Sequence, residues 1–205
     1  MVNKMILKTV VVGELETNCY ILGSDKTKEA VIIDPGDDYE KIVESLKENN
    51  LKARYIINTH GHIDHISADY QFNLPILIHS EDAPFLTSPE EDVFIFFGRR
   101  FPPTKPSRLL KDGDRISVGD MEITVVHTPG HTPGGICLKY DNILFTGDTL
   151  FAGGIGRTDS PGGSAEKLLK SIKEKIMTLD ENITIYPGHG PTSTIGDEKH
   201  TNPFL

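Results

Sequence analysis

Three of the chain's eight histidines fall within six residues, in the run Thr59-His60-Gly61-His62-Ile63-Asp64-His65. An apolar segment over 53–58 precedes them, so they project from the C-terminal end of a strand into a loop, where binding and catalytic groups collect. A lone histidine on an apolar face is usually a satisfied core residue. That reading has to account here for three imidazoles and a carboxylate in one turn, which would carry large desolvation costs if buried without partners. Imidazole with carboxylate suits zinc, iron or manganese, and no cysteine lies nearby to close a structural zinc knuckle.

Three further segments supply more donors, each after a short apolar run: His131 in Thr128-Pro129-Gly130-His131-Thr132, Asp148 in Thr146-Gly147-Asp148-Thr149, and His189 in Tyr186-Pro187-Gly188-His189-Gly190. A glycine precedes each of the three and lets the backbone turn sharply towards a site. Seven donors allow two ions: three histidines for one, an aspartate and two histidines for the other, and one shared carboxylate. Such a pair leaves room for a bridging water, which two cations convert to hydroxide near neutral pH.

The elements that must position these groups follow from hydrophobic patterning. Residues 8–33 read as short β-branched strands with turns near 13–17 and 23–28, ended by Asp34-Pro35-Gly36. A helix is expected over 39–49 and another over 66–73, with strands over 53–58 and 75–79. A second group of strands spans 115–145. A helix over 164–177 follows, with Ser164 as N-cap and Leu168, Leu169, Ile172 and Ile176 on one face. A last strand covers 183–186. Two β-rich halves of similar pattern predict two packed sheets with helices on the outer faces. The interval 81–108 fits this plan poorly. Pro84, Pro89, Pro102, Pro103 and Pro106 alternate there with Phe94, Phe96, Phe97 and Phe101. Long proline-rich excursions of this kind are often lids or pocket walls, the plainer alternative being phenylalanines that fill the core.

Composition limits the function. A chain of 205 residues suits a single domain over 1–205 and can bury roughly 70% of its unfolded surface. Its 21 lysines and arginines against 30 acidic residues give a net charge of −9, which argues against a nucleic-acid-binding face. There is no membrane-length apolar run and no signal-peptide pattern, so a cytoplasmic protein is expected. Cys19 and Cys137 both lie in apolar stretches and read as two buried thiols in a reducing compartment.

Taken together, the motifs closely resemble the metallo-β-lactamase superfamily, whose signature is the His-x-His-x-Asp-His loop and whose later motifs match His131, Asp148 and His189 in order. The resemblance runs from about Val10 to the C-terminus. It implies an α/β fold, an αββα sandwich of two mixed sheets flanked by helices. It also implies that His60, His62 and His131 hold one ion, that Asp64, His65 and His189 hold the other, and that Asp148 bridges them. The ions are expected to be divalent, zinc foremost, with iron or manganese as alternatives. An aspartate at 148 argues against a true β-lactamase, since the familiar zinc β-lactamases usually place cysteine near that position.

Within the superfamily the nearest pattern is glyoxalase II, the hydroxyacylglutathione hydrolase, and more closely its short bacterial relatives. These share Gly156-Arg157-Thr158-Asp159 and an ending like His189-Gly190-Pro191 through Thr201-Asn202-Pro203. Two departures stand out. Sixteen residues follow His189, too few for the helical domain with which full-length glyoxalase II grips glutathione. The lysine and tyrosine that follow the bridging aspartate in glyoxalase II correspond to Arg157 and Asp159, and arginine can still bind a carboxylate bidentately.

The expected function is hydrolysis of a thioester or related activated ester of a small molecule, with S-2-hydroxyacylglutathione as the leading substrate. A metal-bridging hydroxide would act as nucleophile, Asp64 would orient it and take its proton, and Arg157 would bind the substrate. Thr59 and His127 are candidates to support ligating imidazoles from behind. The alternative is a mononuclear-iron persulfide dioxygenase, which by resemblance keeps the same ligand pattern and a similar Gly-Arg-Thr-Asp run. A lactonase, a nuclease and a non-enzymatic metal scaffold have less support.

Overall fold

Alternation along the strands decides how the layers stack. In the computed structural model, which describes residues 5–87 and 101–205, successive strand residues enter different cores. Tyr20, Leu22, Val31 and Ile33 point one way, and Cys19, Ile21, Ala30 and Ile32 the other. Strands buried on both faces read as continuous apolar runs, and β2 (Thr17–Ser24) is buried along its whole length.

The first sheet has strand order β1 (Met5–Val12), β2, β3 (Glu29–Ile33), β4 (Lys52–Ile57), β5 (Ile76–His79) and β6 (Arg108–Leu110). Its first two pairings are antiparallel and the rest parallel. The second sheet contains β7 (Arg115–Val118), β8 (Met121–His127), β9 (Ile136–Tyr140), β10 (Ile143–Gly147), β13 (Thr184–Pro187) and β14 (Ser193–Thr194), in the order β14-β13-β10-β9-β8-β7. Only β10 and β13 pair in parallel there. A small hairpin, β11 (Leu150–Phe151) with β12 (Gly154–Ile155), stands apart. The two sheets meet through a core that includes Tyr20, Ile33, Ile57 and Leu77 from the first, and Ile123, Val125, Leu138 and Phe145 from the second. Helix α1 (Tyr39–Glu48) covers the outer face of the first sheet with Ile42 and Leu46. The outer face of the second is covered by Leu168 of α5 (Ala165–Ser171) and by Ile172 and Ile176 beyond it. This is the expected αββα sandwich. No helix among the described residues is long and apolar enough to cross a membrane.

Several elements differ from the sequence expectation. Residues 66–73 do not form one helix. They divide between α2 (Ile63–Ile66), which starts inside the histidine motif, and α3 (Asp69–Phe72). The break arises because Ala68 N–H bonds to Pro35 O and Ser67 Oγ to Gly36 O, so the turn after β3 takes groups a continuous helix would use. The helix over 164–177 begins on its Ser164 cap as expected, with Ser164 Oγ accepting from Lys167 N–H. After Ser171 it widens into a π turn over Ile172–Ile176, where Met177 N–H reaches Ile172 O. Inside the 81–108 excursion lie α4 (Ala83–Thr87) and the start of β6. Pro89, Phe94, Phe96 and Phe97 lie outside the described residues. A C-terminal helix, α6 (Ile195–Thr201), completes the chain's elements.

Candidate metal centre

All seven sequence-selected donors come together at one end of the sandwich, on loops that leave both sheets. Beyond β4, buried Asn58, Thr59 and His60 carry the chain to the edge, and α2 then presents Asp64 and His65. Asp34, at the end of β3, sets this loop. One carboxylate oxygen accepts Thr59 N–H at 2.7 Å, and the other accepts Thr59 Oγ1–H at 2.6 Å and His65 Nδ1–H at 2.9 Å. With its proton given to Asp34, the Thr59 hydroxyl can only accept from His60 Nδ1, 3.1 Å away.

The same anchoring recurs around the cluster. His131 Nδ1 donates to Arg157 O at 2.7 Å and His189 Nδ1 to Leu15 O at 2.9 Å. Four imidazoles therefore donate through Nδ1, outward, and turn Nε2 inward, as outer partners arrange for metal-binding histidines. His62 instead offers Nδ1, 3.1 Å from His60 Nε2. Two nitrogens on one tetrahedral zinc stand roughly 3.3 Å apart.

Glycines allow the close approach. Gly147, at φ +46°, passes so near Thr59 that a Cβ would strike its hydroxyl, and a Cβ on Gly188 would fall on the Asp148 carboxylate. Asp148 thus sits in the middle. Its Oδ1 is 3.4 Å from His65 Nε2, and its Oδ2 is 3.4 Å from His131 Nε2 and 3.8 Å from His189 Nε2. Asp64 Oδ2 lies 3.2 Å from His189 Nε2 and accepts Thr17 Oγ1–H at 3.2 Å. Three three-residue groups result, His60 with His62 and His131, Asp64 with His65 and His189, and His60 with His65 and Asp148 across the two, each with ligand atoms within 4.8 Å of one another. His65 Nε2, His131 Nε2 and Asp148 Oδ1 are buried without a hydrogen-bond partner. Orphaned buried acceptors are rare and call for an explanation. Three that converge on one point, with carboxylates between them, suit divalent cations.

The groups are charged differently. Burial, together with neighbouring imidazoles, pushes His60 well below the usual histidine range and His62 down to about 4. Burial also opposes charge on His65, but Asp64, Asp148 and Asp34 outweigh it and hold this ring well above the usual range. His189 is raised too, since Asp64 and Asp148 outweigh its burial. The carboxyls of Asp64 and Asp148 lie below the usual range, burial being overcome by the surrounding histidines.

Arg157 contributes differently from expectation. Its carbonyl holds His131, while its guanidinium is exposed and bonded to both oxygens of Asp159, at 2.8 and 3.0 Å. His127 does not support a ligand: its Nε2 bonds Pro133 O and its ring stacks on His79 at 3.9 Å. His79, Glu81 and His127 form another close group of donors. Its two rings lie 14° from parallel, so their in-plane lone pairs run side by side and do not converge. Phe101, from the far end of the excursion, lines a cleft beside Asp64 together with Val12, Leu15, Thr17 and Ile63.

The sequence reading missed four residues that hold the site together: Asp34, Asp82, Asn18 and Tyr20. Asn18 Nδ2 donates to Pro187 O and Gly190 O, and Tyr20 Oη to Pro187 O, tying β2 to the His189 loop. The one available signal was Asp34 in the turn after β3; the others resemble ordinary strand or turn residues.

The family model of the metallo-β-lactamase superfamily matches residues 12–189. A hydroxyacylglutathione hydrolase, GloC, from Haemophilus influenzae is 36% identical over 98% of this chain and 98% of its own length. Among solved structures, the B3 metallo-β-lactamase BLEG-1 superposes with a TM-score of 0.91 at 38% identity, covering 98% of this chain and 99% of that one. TTHA1623, solved in a di-iron-bound form, gives a TM-score of 0.86 at 34% identity over 97% of this chain and all of that one.

Proposed function

The chain belongs to the metallo-β-lactamase superfamily, and from that premise we propose that it is a metal-dependent hydrolase of small-molecule thioesters, glyoxalase II-like in releasing a 2-hydroxy acid and glutathione. The observation that carries this reading is the set of inward-aimed, partnerless donors around Asp148. In this reading His60, His62 and His131 hold one divalent ion, Asp64, His65 and His189 hold a second, and Asp148 lies between them. Zinc is the leading metal; the di-iron-bound relative supports iron as an alternative. Two such ions, when bound, acidify a water and polarise a carbonyl.

The chain's own groups do the rest. Asp64 is anionic, fixed by Thr17 Oγ1 and faces His189, so it can orient a water and accept its proton at Oδ2. The cleft of Val12, Leu15, Ile63 and Phe101 offers an apolar wall to the acyl group. Arg157 can exchange Asp159 for a substrate carboxylate. The GloC relative supports glutathione as carrier.

A second reading keeps a specific basis in Gly156-Arg157-Thr158-Asp159, the run shared with persulfide dioxygenases. The BLEG-1 likeness brings a β-lactam into the same comparison, since aspartate at 148 alone does not decide against it. The test sets S-lactoylglutathione, glutathione persulfide with oxygen, and a chromogenic cephalosporin against the zinc-loaded and iron-loaded protein. The proposal expects thiol release from the thioester to dominate. Oxygen uptake that exceeds thioester hydrolysis, or cephalosporin turnover that does, overturns it.

A further inference from the structure

Asp82 is fully buried and is not one of the seven donors. It follows β5 at the start of the proline-rich excursion. Its Oδ2 accepts Gly61 N–H at 2.9 Å and Thr132 Oγ1–H at 2.7 Å, and its Oδ1 accepts Gly134 N–H at 2.6 Å. No lysine or arginine is among these partners. Burial pushes its carboxyl up, and the same three donors pull it back.

The partners are what give this residue its meaning. Gly61 separates His60 from His62, on the loop that leaves the first sheet. Thr132 follows His131, on the loop between β8 and β9 of the second sheet. The residues just beyond Asp82 fit the same surface: Phe85 packs where a Cβ on Gly61 would stand, and Gly134 leaves no room for a Cβ beside Asp82 N. One further bond joins these loops, Ile136 N–H to Thr59 O at 2.8 Å. The loop of His189 has none of these partners and is tied instead through Asn18 and Tyr20.

We propose that Asp82 is a positioning residue for the three-histidine half of the centre: its carboxylate joins the loops of His60, His62 and His131 and so sets the affinity of the ion they hold, without setting that of the other. The proposal rests on the two-ion reading above. Removing the carboxylate leaves two backbone N–H groups and a hydroxyl buried without their acceptor, and lets two loops from different sheets move apart. Loss of an outer partner of this kind typically lowers metal affinity by about 10–100-fold.

The test is zinc titration of chelator-stripped protein in competition with a chromophoric chelator, which yields one dissociation constant per ion. His131→Ala and His189→Ala assign each constant to its half. Asp82→Asn, nearly isosteric, should weaken the ion that His131→Ala removes by about 10–100-fold and leave the other within about twofold. Thr132→Val, which removes one of the three bonds, should weaken the same ion by a smaller factor, and it decides the matter alone if Asp82→Asn does not fold. Equal weakening of both ions, weakening of the other ion, or no change overturns the proposal. A wild type that takes up a single zinc refutes the two-ion reading by itself. Asp82 is then upheld only if that ion is the one His131→Ala removes and Asp82→Asn loosens it.

Discussion

The two halves of the centre are assembled across the same pair of sheets by opposite chemistry. On the three-histidine side His60 and His62 are lowered below the usual histidine range, His60 and His131 are almost sealed from solvent, and a buried carboxylate, Asp82, joins their loops. On the other side two of the three donors, His65 and His189, face carboxylates that raise them above the usual histidine range. The sheets are joined there by neutral groups, Asn18 and Tyr20, and His189 remains 29% exposed beside the Phe101 cleft. In the two-ion reading a cation on the first side supplies positive charge that His60 and His62 resist carrying, and one on the second competes with protons favoured on His65 and His189. In that reading the first, closed half retains its ion and the second, open half admits substrate.

The largest effect should come from the residue the halves share. Asp148→Ala removes the only carboxylate that, among the described residues, faces His65, His131 and His189 together. Metal content should drop from about two ions per chain to one or fewer, with turnover abolished. Full activity in this variant would break the comparison outright.

Protons sharpen the contrast. In chelator-treated protein nearby carboxylates outweigh burial and raise His65 and His189, so both keep protons to higher pH than His60 and His62, which are lowered. An ion that enters the open half must therefore displace protons, and its affinity should fall as pH is lowered. The closed half should release fewer protons, since burial and neighbouring imidazoles lower His60 and bring His62 down to about 4. Zinc calorimetry in buffers of different ionisation enthalpy measures the release ion by ion; equal release from both would remove the distinction.

Smaller effects follow at the edges. Asn18→Ala leaves the Pro187 and Gly190 carbonyls without this donor and should cost about 1–3 kcal/mol in a denaturation midpoint. It should loosen the His189 ion more than the His131 ion. Arg157→Ala should raise KM for a glutathione thioester with little change in kcat, since the guanidinium is free to exchange partners but its backbone bond to His131 survives. Unchanged KM would place the carrier elsewhere. The smallest signal is a null one: Cys19 and Cys137 are buried, with the Cys137 thiol pushed up to about 11, so neither should react with iodoacetamide before unfolding.

How much of this was legible depended on sequence distance. The seven donors stand out because each follows an apolar strand, in a cluster or behind a glycine, and two β-rich halves of similar pattern predict two packed sheets with helices outside. The supporting residues do not announce themselves. Asp34 and Asp82 sit in Asp-Pro-Gly and Asp-Ala-Pro turns, where a carboxylate is routine, and their partners lie 21 to 52 residues away. Strands of two or three residues, such as β11, β12, β14 and β6, are too short to show a period. The division of 66–73 into two turns depends on hydrogen bonds to Pro35 and Gly36, which no local pattern contains.

The central claim, a two-ion thioester hydrolase, is tested most directly by thiol release from S-lactoylglutathione as zinc is added stepwise to chelator-stripped protein. The account predicts a rate that reaches its plateau at about two equivalents per chain. A plateau at one equivalent, or no thiol release at any loading, would contradict it.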